Sequence, residues 1–141
     1  MTTSNFVPTI VTAQVVEERR RLQFLPAYFD RYCVVTEQRI FKYMRKLSTD
    51  YQGGSWKFYE LSNGGCFMCP DELHDVVYRC SWDENYYDGS MSPEAAGITV
   101  CLMAYSRLSF SYAEPFTENY HRLREFALDH EEANQIFRAL D

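Results

Sequence analysis

Helical periodicity on either side of one cluster of strand-forming segments predicts an α+β domain, a small antiparallel meander of three to four strands packed with about five helices. Three features carry that prediction. Ile40, Met44, Leu47 and Tyr51 recur at the spacing of one helical face. Asn63-Gly64 marks a tight reversal between two strand-like runs, and Ser92-Pro93 opens a long apolar helix. With 141 residues, 46% of them hydrophobic and 16% aromatic, the chain suits one domain with a sizeable core.

Residues 1–15 are weakly patterned and read as an extended or loosely held N-terminal segment, followed by one domain over 16–141. A short helix starts within 16–24. Leu25-Pro26 interrupts it, because proline disfavours helical geometry in the residue before it, and Pro26 opens a fresh turn over 27–32. The amphipathic helix over 36–51 follows, with Thr36 as its N-cap, and Gln52-Gly53-Gly54-Ser55 ends it. Residues 56–61 and 66–69 read as the arms of a hairpin whose Asn63-Gly64 pair favours a primed turn. Further strands are expected over 76–82 and 86–91, with a turn at Asp83-Glu84-Asn85. Ser92-Pro93-Glu94 starts a helix towards Tyr112 that is apolar around most of its circumference and is expected to be buried. Helices over 118–129 and 131–140 complete the fold, the last burying Ile136, Phe137 and Leu140.

Charge is unevenly spread: residues 1–57 carry a net +4 and residues 58–141 a net −10, for −6 overall. Duplex DNA carries about one negative charge per 1.7 Å of axis, so −6 over a whole domain is too sparse for a duplex mimic. The acidic balance equally fails to suit a general DNA binder, and no stable duplex binding is expected. Arg39, Lys42, Arg45 and Lys46 form a basic edge on the 36–51 helix. A solvated face is its ordinary reading; a nucleic-acid-binding module using that edge is the alternative function. The most apolar stretch, 95–108, is broken by Gly97, Thr99, Ser106 and Arg107 and is too short to span a bilayer. No secretory segment opens the chain, so a cytoplasmic protein without membrane contact is expected.

Five cysteines, an odd number, fit reduced and mostly buried thiols. Cys66, Cys69, His74 and Cys80 give C-x2-C-x4-H-x5-C, close to zinc-knuckle spacing. Cys66 and Cys69 lie three apart on one strand, however, and so point to opposite faces. No metal and no cofactor is expected. H-E-x-x-H, G-x-S-x-G and the phosphate-binding glycine motifs are absent, so the chain does not read as an enzyme.

The run Asp50-Tyr51-Gln52-Gly53-Gly54-Ser55-Trp56-Lys57-Phe58-Tyr59-Glu60-Leu61-Ser62-Asn63-Gly64-Gly65 resembles the signature of the ArdB/KlcA antirestriction family. Leu25-Pro26 with Phe29, Met68 with Pro70, Ala95-Ala96-Gly97-Ile98, and Tyr120-His121 with Leu123-Arg124 match further family motifs in order, so the resemblance spans residues 21–141. Cys66 stands where the family has an aromatic, and His130-Glu131-Glu132 where H-P-E is usual. The resemblance implies a protein of plasmids and other mobile elements that evades host defence by relieving type I restriction of incoming DNA. Its implied partner is the type I restriction complex, met by protein–protein antagonism rather than DNA mimicry, with no catalytic residues or cofactor carried over.

Within that signature the paired glycines permit sharp reversals that bracket a strand. Tyr51, Gly53, Gly54, Phe58, Gly64 and Gly65 read as its structural frame. Trp56, Tyr59, Glu60 and Asn63, held on a rigid strand, are candidates for partner contact, with Trp56 and Phe58 as core residues the competing reading. Asp141 puts acidic charge at the negative end of the last helix, against the dipole preference, and is a further candidate contact.

Overall fold

The structure is a computed structural model that describes residues 10–73 and 75–141. It is α+β, and its antiparallel strands divide into two sheets. β1 (Ala13–Val15), β2 (Trp56–Leu61) and β3 (Cys66–Pro70) form one sheet in that order; β4 (Tyr78–Trp82) and β5 (Tyr87–Met91) form a separate hairpin. The expected single meander breaks after Pro70, which has no N–H to continue a ladder. Around the sheets pack α1 (Arg21–Phe29), α2 (Cys33–Leu47), α3 (Pro93–Tyr112), α4 (Phe116–Leu128) and α5 (Ala133–Leu140). No helix among the described residues is long and apolar enough to cross a membrane.

Of the segment 1–15, residues 1–9 lie outside the described residues. Ala13–Val15 are a strand, set opposite Leu61, Glu60 and Tyr59. The hairpin loop also departs from the expected two-residue primed turn. Glu60 pairs with Cys66, and Leu61 and Gly65 close a three-residue loop. Gly64 alone takes a positive φ, +89°. That is a type I turn completed by a left-handed glycine, the usual three-residue solution. Asn63 works through its side chain: Nδ2 donates to Arg122 O at 2.9 Å and Glu125 Oε1 at 2.7 Å, and Oδ1 accepts from Gly65 N.

The boundaries of the helices move. α1 runs through Pro26 instead of stopping at it, giving up one backbone bond while Phe24, Leu25 and Phe29 bury its inner face. α2 begins three residues before Thr36 and ends four before Tyr51. Thr36 is therefore no cap: it is fully buried, and its hydroxyl donates to Tyr32 O at 2.7 Å, which satisfies it inside the helix. Phe137 and Leu140 of α5 are only partly buried, while Ile136 and Ala139 are fully so.

α3 is the central helix. Ser92 caps it, accepting from Ala95 N at 3.1 Å, and eleven of its twenty residues are buried. It runs antiparallel to β3 along the strand's outer edge. Carbonyls of β3 that point away from β2 are taken up by α3 side chains: Cys101 Sγ donates to Met68 O at 3.5 Å and Tyr105 Oη to Cys66 O at 2.9 Å. One turn earlier, Gly97 brings helix and strand into contact; a Cβ there would lie 2.6 Å from both Cys69 Cα and Met68 O. The helix thus covers an edge that would otherwise invite another strand.

Candidate functional site

The signature hairpin is bound into the fold on every side. The Trp56 ring faces α2, 6% exposed, edge-on to Phe41 and Tyr51, and its Nε1 donates to Tyr51 Oη at 2.9 Å. Trp56 is therefore a core residue rather than a presented one, because β2 turns that side of the strand towards the helices. Phe58 stacks on Phe24 of α1 at 4.8 Å. Tyr59, on the opposite face and half-buried, stacks on Phe67, which in turn stacks on Phe126 of α4. Glu60 accepts from Tyr28 Oη at 2.8 Å and from Arg20 at 3.0 and 3.1 Å. The Tyr28 hydrogen bond, followed by Arg20, holds the Glu60 carboxyl below the ordinary glutamate range. Gly53 and Gly54, at φ +90° and +105°, supply the reversal before β2.

The candidates from sequence do not converge on one patch. Glu60 and Asn63 spend their polar atoms within the chain, and Asp141 lies exposed at the end of α5. Around the thiols, burial pushes Cys80 and Cys101 up to about 12 and raises Cys66 and Cys69 further. Cys66 faces Tyr105 and Asn119, whereas Cys69 lies against Gly97 on the other side of β3. His74 lies outside the described residues. Among the described residues no cluster of His, Cys, Asp and Glu is placed to hold a metal ion.

A polar latch fastens the start of α3. His130 Nε2 lies 2.7 Å from Glu94 Oε2, and its Nδ1 accepts from Glu132 N at 3.0 Å. Glu132 in turn accepts from Ser92 N at 2.8 Å and from Ser92 Oγ at 2.5 Å. Burial lowers the pKa of His130, but the hydrogen bond and charge of Glu94, with Glu132 and Glu131, outweigh it and leave the ring above the ordinary value. A raised folded-state value stabilises the fold fully below the unfolded pKa, about 6.5, and that contribution is lost as pH rises through the folded value. Measured against His130→Gln, the wild-type thermal midpoint is expected to decline as pH is raised from about 6 to about 8. A difference between the two proteins that stays constant over that range would show that the ring does not titrate with folding.

A second surface lies on the far side of α3. Leu102, Met103 and Leu140 floor a groove walled by Tyr43 of α2, Trp82 of β4 and Tyr120 of α4, with Arg107 and Phe110 of α3 at its mouth. Phe110 is 87% exposed. Cations lie over the neighbouring rings: Arg39 over Tyr43 at 5.7 Å, Lys46 over Trp82 at 4.5 Å and Arg124 over Phe137 at 5.6 Å. Lys46 is also paired with Glu84 at 2.5 Å. Of the basic edge read from the sequence, Arg39 and Lys46 border this groove, while Lys42 and Arg45 are exposed to solvent. The groove's residues are scattered over four helices and a strand, so no single stretch of sequence marks it.

Comparison with known proteins follows the same fold. A family model described as antirestriction protein matches residues 49–141. Antirestriction protein KlcA of Escherichia coli is 38% identical over 143 residues, covering 96% of this chain and 97% of KlcA. An uncharacterised protein of Escherichia coli K12, YafX, is 41% identical over 134 residues, covering 93% of this chain and 88% of YafX. A solved structure superposes with a TM-score of 0.85 at 37% identity, covering 97% of this chain and 99% of its own. It comes from work describing the KlcA and ArdB proteins as a novel fold with antirestriction activity against type I DNA restriction systems in vivo but not in vitro. Near-complete coverage in both sequence and fold settles the assignment: the chain belongs to the antirestriction protein family.

Proposed function

We propose that this chain relieves type I DNA restriction in the cytoplasm by protein–protein antagonism of the restriction complex. The carrying observation is the structural match over 97% of the chain to a protein of the KlcA and ArdB group, whose activity is described against type I systems in vivo. The charge supports antagonism over mimicry, because a net −6 cannot reproduce the charge density of a duplex. No cofactor enters the mechanism. A protein antagonist acts by occupying or distorting a surface of its target, which needs a few well-placed aromatic, apolar and arginine side chains.

Plating of unmodified phage tests the reading. Expression of the chain is expected to raise plating on a host carrying a type I system and to leave plating on a host without restriction unchanged. Soluble protein with no rise on the restricting host overturns the proposal.

A further inference from the structure

We infer that the groove beside Phe110 is the surface that engages the partner, and that the partner offers an apolar side chain flanked by carboxylates. This deepens the protein-antagonist reading and rests on it. Phe110, one of several exposed large apolar side chains, points there. It lies on the most deeply buried helix of the fold, yet 87% of it is exposed, two turns beyond Met103 and next to a floor of Leu102, Met103 and Leu140. A large ring standing in water beside an apolar pit gains contact area only when a second apolar group fills that pit.

The charge around the pit selects the partner. Arg107 lines it, Arg39 lies one turn from Tyr43, and Arg124 one turn from Tyr120. Among the described residues none of these three guanidinium groups has an ion pair, in a chain whose net charge is −6. Arg107 in the lining and Arg39 over the Tyr43 wall, neither with a carboxylate of its own, match a segment that carries carboxylates beside an apolar side chain. A nucleic acid fits less well. The Tyr43 and Trp82 rings lie beneath Arg39 and Lys46, and Trp82 is only 9% exposed, so these rings offer no open face for base stacking. Arg107 is also the single cation among the lining residues, too few to follow a line of phosphates.

The test compares Phe110→Ala, Arg107→Glu, Arg107→Lys and, at an exposed apolar residue elsewhere, Leu73→Ala, in the full chain. Restriction relief is scored by plating, folding by thermal midpoint, and nucleic-acid binding by anisotropy of labelled single-stranded and duplex oligonucleotides. Phe110→Ala and Arg107→Glu are each expected to reduce relief by about tenfold or more, the scale of an interface anchor, with midpoints unchanged. Arg107→Lys should lose less than Arg107→Glu, and Leu73→Ala nothing. If the wild type relieves restriction and Phe110→Ala and Arg107→Glu relieve it equally well, the groove is overturned while the antagonist reading stands. Equal loss for Lys and Glu at position 107 overturns the carboxylate-bearing partner. Oligonucleotide binding that falls together with relief assigns the groove to nucleic acid and overturns the proposal. A wild type without relief removes the antagonist reading itself, and this inference with it.

Discussion

Gly97→Ala is expected to lower the thermal midpoint by about 10 °C, and Gly97→Val to leave little folded protein at 37 °C. The added Cβ would fall within the space of Cys69 and 2.6 Å from two backbone atoms of β3, Cys69 Cα and Met68 O. Neither side has room to yield. β3 is fixed in register against β2, and Ala96, Ile98 and Val100 on either side of Gly97 are fully buried. Overpacking in a core typically costs about 1–3 kcal/mol, and collision with a paired backbone belongs at the upper end. Displacing α3 would also strain the bonds from Cys101 and Tyr105 to the strand edge, leaving buried carbonyls at about 1–3 kcal/mol each. Against a total stability of about 5–15 kcal/mol, the valine variant exhausts the margin. Thermal unfolding followed by circular dichroism is the check. An alanine variant melting within a degree or two of the wild type would show that helix and strand are not in contact there.

Trp56→Ala is expected to be the most destabilising change within the signature run, at about 3–5 kcal/mol. The indole fills space between β2 and α2 and ties off the Tyr51 hydroxyl, so its removal leaves both a cavity and an orphaned polar group. Trp56→Phe keeps most of the volume and should cost markedly less. Restriction relief should track the folded fraction across both variants, because the ring is buried within the fold. A Trp56→Phe protein as stable as the wild type but without relief would restore the indole to a contact role.

These two residues mark the boundary of what the sequence makes legible. Periodicity and capping are local; they marked the Ser92 start of α3 and the presence of α2 and of the β2–β3 hairpin, though not the ends of α2 or the type of turn. They failed where tertiary packing overrides local preference. Pro26 stays inside α1 because Phe24, Leu25 and Phe29 bury the same face across it. Thr36 lies mid-helix because its hydroxyl finds a carbonyl one turn back. The candidate site was less legible still. An unusual run of aromatics and glycines is equally the mark of recognition and of tight packing, and at Trp56 packing won. Phe110 could not be singled out, because a helix apolar around its whole circumference does not declare which residue the neighbouring helices leave uncovered.

The contact between α3 and β3 fixes more than one distance. Four helical residues advance about 6.0 Å and two strand residues about 6.8 Å, so two periodic rows nearly match over a short length and then drift apart. Along that length the reach of the helix side chains grows from none at Gly97 to a thiol at Cys101 and a phenol at Tyr105. The helix backbone therefore stands closest to the strand at Gly97, and longer side chains span the distance at Cys101 and Tyr105. Phe29 packs beside that end of the helix, 5.3 Å from the Tyr105 ring and 5.5 Å from Phe116. The approach of the central helix to the strand is thus encoded in three side-chain lengths. Exchange at positions 97, 101 and 105 should be tolerated only in concert, as one adjustable joint, while any single step at them misaligns the whole helix.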